Sequence, residues 1–510
     1  MSALRTPDMV NPSYISSSHR LKGRWGRSAR PLAIFLSLLT AGVASAQIGE
    51  FLPREPLGVT PSPTKITSNI SDSKWHHSLW GKVGVLGFKP RFMTVNVLSN
   101  GSKEHILSWY SVNFQGAINI SLPATGLAPD FTPRGIELYD DWNQVPQLKA
   151  YVIGDLVRAE GAVPVVIPFL FKINKFIQQP IVHLLDTLPV AGSGVNKGFT
   201  SSMAQDHLGE FIAAWVTKGS PASAQTQRLR STAVPPYIEK VGGNQTIPIS
   251  AFGMNPTDRF IAVDVAMNES QNVKIAVASD DSGFWGHVRV LHGTIDQPGA
   301  GPSQILSGRN GDPSTIALSI AMRTVDGAPH TLTLPGIDQD YAVTWVDDPY
   351  YIQGVRPFRV MMSGEHQGVS SGLIHLNRTL EQMRGEVTNP QIDGGKDHYE
   401  VVWNYLDKPE YIPGSGKTWE VLSQGVSSDL RIIDVGSNGN FGHKCISDTH
   451  PMEQYAGSVA IPNYPFFNDV VFSYSSIIGP GVAVNPGNIA NPAPGSTYSF
   501  QYKPRQPGRY

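Results

Sequence analysis

Three short strings recur in the same order in the C-terminal half of this 510-residue chain. Tyr341-Ala-Val343-Thr-Trp345 is echoed by Tyr399-Glu-Val401-Val402-Trp403. Gln367-Gly368-Val369-Ser370-Ser371 returns as Gln424-Gly425-Val426-Ser427-Ser428. Glu381-Gln382 with Gly385, Val387 and Pro390 returns as Glu453-Gln454 with Gly457, Val459 and Pro462. Self-similarity at this spacing marks an array of supersecondary units, none of which can bury its apolar face alone.

The units read as β. The Tyr-x-Val-x-Trp strand comes first in each, followed by Phe358-Arg-Val360 or Trp419-Glu-Val421, a Val-Ser-Ser turn, and a closing Gly-x-Val-x-x-Pro strand. Weaker copies run upstream through Arg259–Val265, Val273–Ser279 and His287–Leu291. About four strands in roughly 55–80 residues are too few for a seven-stranded immunoglobulin domain. They suit a four-stranded propeller blade or half of a sandwich. The expected fold class is all-β: an array of roughly four-stranded repeat units, β-propeller-like, with tandem β-sandwiches as the alternative. Trp345, Trp403 and Phe472 fall at matching places and read as core anchors.

One stretch departs from alternation. Ile173, Phe176 and Ile177, then Ile181, Leu184 and Leu185, have helical spacing, so a short helical insertion is expected near 170–187. The remaining organisation is a signal peptide over 1–46, a Pro/Ser/Thr-rich linker or arm over 47–83, an N-terminal β region over 84–255 containing the helical insertion, and a C-terminal β-repeat region over 256–510. The first of these rests on Arg20, Lys22, Arg24, Arg27 and Arg30, the apolar run Leu32–Leu39, and Ala44-Ser45-Ala46 before Gln47. A basic stretch, a short apolar core and a small-x-small end form an export signal. The apolar run is too short for a membrane span. Secretion, or delivery to a periplasm, is the expected location.

Of 40 basic and 41 acidic residues, six and one lie in that leader. The rest carries 34 against 40, a net of about −6, which gives no electrostatic reason to bind nucleic acid. Glycine at 50 and proline at 40 residues, with only 16% charged residues, favour many turns over long surface helices. Cys445 is the sole cysteine, so no intrachain disulfide forms.

Several motifs resemble catalytic ones. Gly368-Val-Ser370-Ser-Gly372 matches the nucleophile elbow of serine hydrolases, with His366 or His375 and Asp393 as triad partners. The sister copy, Gly425-Val-Ser427-Ser-Asp429, lacks the last glycine, and a β pattern follows Ser370, so a turn is the favoured reading. Ser370, His375 and Asp393 remain the catalytic candidates. Pro413-Gly-Ser-Gly-Lys417-Thr418 has Tyr411 where a phosphate loop needs glycine, and a strand follows it. Trp75 and Trp80 flank His76-His77 and could form a sugar-stacking platform or pack the first strand. Asp347 and Asp407 precede Pro349 and Pro409 at comparable places, as turn residues or as a ligand site built from equivalent loops.

No metal set and no cofactor signature is present in the sequence, so neither is expected. The expected role is an extracellular or periplasmic binding or surface-structural protein for glycan or protein ligands. The alternatives are a secreted hydrolase or lyase on polymeric glycans, and a particle-forming coat protein. No nucleic acid partner is expected, and no membrane span once the leader is cleaved; oligomerisation stays open.

Overall fold

A computed structural model describes the strands named below and residues 182–186, 200–206, 208–217, 222–281, 285–306, 317–323, 339–347, 359–377, 386–395, 398–407 and 418–433; side chains are described in segments between 131 and 459. Residues 1–46, where the signal peptide is expected, and Trp80 lie outside the described residues.

The described residues form seven antiparallel sheets of four or five strands. Sheet I is Lys65–Ser78, Gly87–Ser99, Lys103–Ser111 and Phe114–Asn119. Sheet II is Phe131–Asp141, Gln147–Arg158 and Gly161–Lys172, with Lys175–Phe176 and His183–Leu184 on its edge. Sheet III is Ser201–Gln205, Glu210–Thr217, Ser223–Ser231 and Ile238–Pro248. Sheet IV is Arg259–Met267, Asn272–Asp281, Trp285–Thr294 and Ser303–Ile305. Sheet V is Leu318–Met322, Tyr341–Asp347 and Arg359–His366, edged by Val369–Ser370 and Ile374–His375. Sheet VI is Glu386–Gly394, His398–Asp407 and Thr418–Ser427, edged by Lys444–Cys445 and His450–Pro451. Sheet VII is Gln454–Ala460, Val470–Ile477 and Thr497–Lys503. Its last strand pairs with Glu50–Phe51 and Glu55–Gly58, both inside the stretch read as a linker or arm. Strand Lys65–Ser78 also lies in that stretch.

Each sheet's first strand neighbours the first strand of the next, and the first strand of sheet VII returns to that of sheet I. This is the arrangement of propeller blades about an axis. Sheets II to VI carry described side chains and show how the blades adhere. Ile212, Ala214 and Val216 of sheet III meet Val263, Val265 and Ile275 of sheet IV. Ala276, Val288 and Val290 meet Ile320, Val343 and Trp345 of sheet V. Val360 and Met362 meet Val401, Trp403 and Leu422 of sheet VI. Both faces of sheets IV and V are therefore covered, which is why their second strands read as nearly continuous apolar runs. Trp345 and Trp403 are fully buried, as expected of core anchors. The side chain of Phe472 lies outside the described residues. Trp215, four residues after Phe211 on the second strand of sheet III, is an upstream relative of the Tyr-x-Val-x-Trp pattern and equally buried.

The first strands have a partner within their own sheet on one side only. Backbone N–H groups on the other edge need acceptors, and side chains of adjacent sheets supply them. Thr200 Oγ1 accepts from Val263 N at 3.0 Å and Ser202 Oγ from Val265 N at 3.3 Å. Asp264 Oδ2 accepts from Ile320 N at 2.8 Å, and Ser319 Oγ from Ile392 N at 3.5 Å. Short polar side chains thus stitch sheets III, IV, V and VI along the axis.

Three expectations need correction. The helical insertion near 170–187 does not form where the chain is described: Gly161–Lys172, Lys175–Phe176 and His183–Leu184 are strands. The strand Gly161–Lys172 is buried on both faces from Val163 to Leu170. The edge strands that follow it are two residues each, too short to show alternation, so the spacing of Ile173, Phe176 and Ile177 imitates a helix. The phase of the unit also shifts. Tyr341–Asp347 and His398–Asp407 are second strands, and the Gly-x-Val-x-x-Pro strand of Glu386–Gly394 opens a sheet rather than closing one. A repeat in a closed array has no starting point in sequence; hydrogen bonding sets it. Finally, the two Gln-Gly-Val-Ser-Ser strings are not equivalent. Gln367-Gly368 is a two-residue connection joining His366 to Val369, with φ of 50° and 78°. Gln424-Gly425 lies inside a strand, opposite Val401 and Glu400. Tyr341 faces Glu365 while Tyr399 faces Val426, so the strings are four residues out of register. The absent glycine at Asp429 therefore says nothing about Ser370, which lies on the edge strand Val369–Ser370 just after the turn rather than within it.

No helix among the described residues is long and apolar enough to cross a membrane.

Candidate functional site at the turn ends of three sheets

Antiparallel pairing places the end of each first strand beside the start of the second and the end of the third. In sheet V this juxtaposes Arg323, Asp340 and His366. Met322 is opposite Tyr341, so the next residues out, Arg323 and Asp340, face each other. Arg323 Nη1 reaches Asp340 Oδ2 at 2.8 Å, with the arginine side chain 7% exposed and the carboxylate fully buried. His366 Nδ1 lies 2.7 Å from the same oxygen. Gln367 N donates to Asp340 Oδ1 at 2.7 Å. The two positive φ angles at Gln367 and Gly368 define a type I′ connection, whose twist matches the flanking strands. Asp340 thus fixes a cation, an imidazole and a hairpin together. A charge buried this deeply stands only because its oxygens are occupied.

Tyr399 of sheet VI packs against this group. It is fully buried, and its hydroxyl has no hydrogen-bond partner among the described residues. Burial raises its pKa well above the ordinary phenol value; nearby Arg323 opposes the shift, and Asp340 and Tyr341 add to it. Tyr341 is likewise raised, by burial and then by Glu365, and its hydroxyl donates to Gln304 Oε1 at 2.6 Å. Both phenols stay neutral.

A second polar group joins sheets IV and V at the same end. Buried Lys274 donates to Gln339 Oε1 at 2.7 Å, and its Nζ lies 3.0 Å from His292 Nδ1. The ammonium also sits 5.5 Å from the Tyr341 ring centre, within cation–π range. Burial, and then the charge on Lys274, push the His292 pKa down to about 4. The imidazole is neutral near pH 7, and since Nδ1 accepts from the ammonium, its proton sits on Nε2.

The residues singled out from sequence do not converge here. Ser370 is exposed and opposite Glu365, whereas Val369 is opposite His366. Adjacent strand residues point to opposite faces, so Ser370 faces away from His366. His375 is opposite Met361; their partners Glu365 and Met361 are four positions apart on one strand, so Ser370 and His375 stand about 13 Å apart. Asp393 is on the first strand of sheet VI, opposite Glu400. Asp347 and Asp407 each end a second strand, opposite Arg359 and Thr418. They share one relative position, at the other end of their strands from Asp340. Asp347 is buried; the side chain of Asp407 is outside the described residues. Trp75 lies on the strand Lys65–Ser78, its side chain also outside them.

Sequence reasoning missed Arg323 and Asp340 and weighed His366 only as a triad partner. Their one signal was position: Asp340 and His366 immediately precede repeated strings, at places where the copies differ. Among the described residues no group of three His, Cys, Asp or Glu side chains is placed to hold a metal ion.

By fold the chain is a β-propeller-like repeat protein. No family profile matches it, and no curated protein does. Solved structures similar to it include a Trypanosoma rangeli sialidase in complex with the inhibitor DANA, at 8% identity and a TM-score of 0.38, covering 73% of this chain and 55% of that one. A Hadza microbial sialidase is similar at 10% identity and a TM-score of 0.37, covering 90% and 96%. A protein of unknown function from Dyadobacter fermentans is similar at 9% identity and 0.38, covering 74% and 96%. The chain spans about half the length of the Trypanosoma rangeli sialidase chain it resembles. The propeller description rests on the sheet pairing above, and the site on its own residues.

Proposed function

We propose that the chain is an exported binding protein that holds a glycan or protein ligand at the turn ends of sheets IV, V and VI. One observation carries this reading: Lys274, Tyr341, Arg323, Asp340, His366 and Tyr399 come from three successive sheets and gather at the exposed hairpin Gln367-Gly368, which Asp340 anchors. Groups held in advance lose little freedom on binding. In repeat arrays, ligand surfaces form where the turns of neighbouring units meet. The exposed hairpin residues Gln367 and Gly368, anchored through Asp340, give that end a rigid rim. The buried group holds the rim in place, and the part-exposed His366 with the exposed Gln367 and Gly368 offers the polar contacts that the hydroxyls of a sugar or the backbone of a protein loop can take.

The test is a glycan array probed with the purified chain, with product release assayed alongside. Retention without product, weakened by Gly368→Val in the rim, supports the reading. Retention unaffected by changes at this end of the sheets overturns the site, and release of cleaved sugar moves the chain to the hydrolases. Export is tested separately by the N-terminus of secreted material, expected at Gln47.

A further inference from the structure

We propose that His366 is the general base of a hydrolytic site for short-chain acyl esters, with Asp340 as its positioning residue. This site does not depend on the ligand above being a glycan.

Asp340 is fully buried and both its oxygens are engaged, Oδ2 by Arg323 and His366 and Oδ1 by Gln367 N. A carboxylate only accepts, so neutral His366 must carry its proton on Nδ1. The lone pair is then on Nε2, at the far edge of the ring, and the side chain is 26% exposed. The ring cannot swing away, because His366 is the last residue before the type I′ turn and Asp340 grips the next backbone N–H. A part-exposed imidazole with a fixed tautomer and its lone pair on Nε2 has what a general base requires. Val369 is directly opposite His366 and 68% exposed. Cross-strand partners stand about 5 Å apart, so its methyl groups offer an apolar rest for an acyl chain of a few carbons beside the imidazole.

The step balances without a cofactor. Water attacks the ester carbonyl carbon while Nε2 takes its proton. The tetrahedral intermediate collapses, the C–O bond to the alcohol breaks, and the proton on Nε2 passes to the departing oxygen. The products are one carboxylic acid and one alcohol. Ser370, on the other face of the edge, forms no acyl intermediate.

The test uses the full chain with 4-nitrophenyl acetate and butyrate. Turnover should exceed that of an equal concentration of free imidazole, and His366→Ala should lower kcat about 100-fold, within the usual range for a general base. Asp340→Asn should lower kcat at least tenfold and displace the single inflection of the pH–rate profile, which a merely structural role would not do. Val369→Asp should raise KM with kcat little changed, and His287→Ala, on sheet IV, should change neither. His366→Gln keeps an N–H donor toward Asp340 and guards against a misfolded alanine variant. Wild-type rates in a folded His366→Gln protein, or wild-type turnover no faster than imidazole, overturn the proposal.

Discussion

Asp264 Oδ2 accepts the backbone N–H of Ile320 at 2.8 Å, across the boundary between sheets IV and V. Its other oxygen accepts from Val265 N at 2.9 Å and from the Ser202 hydroxyl of sheet III. One side chain therefore joins three consecutive sheets. Burial still raises its pKa above the usual carboxylate value, with Ser202, Ile320, Val265 and Ser319 pulling the other way. Asp264→Ala leaves Ile320 N without its acceptor, and an orphaned buried donor costs about 1–3 kcal/mol. The urea midpoint should fall at unchanged m. Ser319→Ala removes the long bond of 3.5 Å to Ile392 N and one of several partners of Asp264, leaves Ile320 N bonded, and should cost less than half as much. Equal midpoints for Asp264→Ala and wild type would show that the stitching contributes nothing.

Two glycines of sheet V separate space from backbone conformation. Gly368 has φ of 78° and open surroundings, so Gly368→Ala meets only the left-handed penalty of about 1–2 kcal/mol. Gly364 is on a regular strand opposite Ala342, where a methyl group would overlap the Tyr341 carbonyl oxygen. Gly364→Ala must push two strands apart and should cost about 2–3 kcal/mol. Thermal denaturation should rank Gly364→Ala below Gly368→Ala; the reverse order would contradict the close approach of strands at Gly364.

The fold was legible where burial is two-sided and repetitive. Alternation and aromatic spacing at Tyr341/Trp345 and Tyr399/Trp403 gave the strands, because packing between sheets demands the same bulky groups in each unit. The stretch near 170–187 was misread, since its edge strands Lys175–Phe176 and His183–Leu184 are two residues each, too short to show alternation. The Gln-Gly-Val-Ser-Ser register was misread because five identical residues fit both a turn and a strand. The site was nearly illegible. Arg323 and Asp340 lie 17 residues apart and meet only through pairing, so no spacing rule joins them. Thr200, Ser202, Asp264 and Ser319 look like ordinary polar residues in strands until the neighbouring sheet's edge is known.

Acid should weaken the contact between sheets IV and V. The His292 pKa lies at about 4 in the folded chain, below its ordinary 6.5. Between those values the unfolded chain binds the proton and the folded chain does not. Stability from the neutral ring is thus complete above about pH 6.5 and is lost as pH falls toward 4. Melting temperatures from pH 7 to pH 4.5 should drop more steeply for wild type than for His292→Gln. Parallel slopes would mean that the imidazole is not held neutral beside Lys274.

Trp345 and Trp403 occupy corresponding places yet belong to different inter-sheet layers, the first between sheets IV and V, the second between V and VI. Each is fully buried, and neither indole N–H has a partner among the described residues. Their stabilisation is therefore a matter of volume and contact rather than hydrogen bonding. Either change to alanine should cost about 3–5 kcal/mol through lost burial and the cavity left behind. Trp345→Phe removes the unpartnered N–H together with part of the volume, so it should cost less than half as much as Trp345→Ala. Chemical denaturation of the three variants checks both statements. A Phe variant as damaging as the alanine one would mean that the indole N–H is bonded after all and that the anchor is polar as well as apolar.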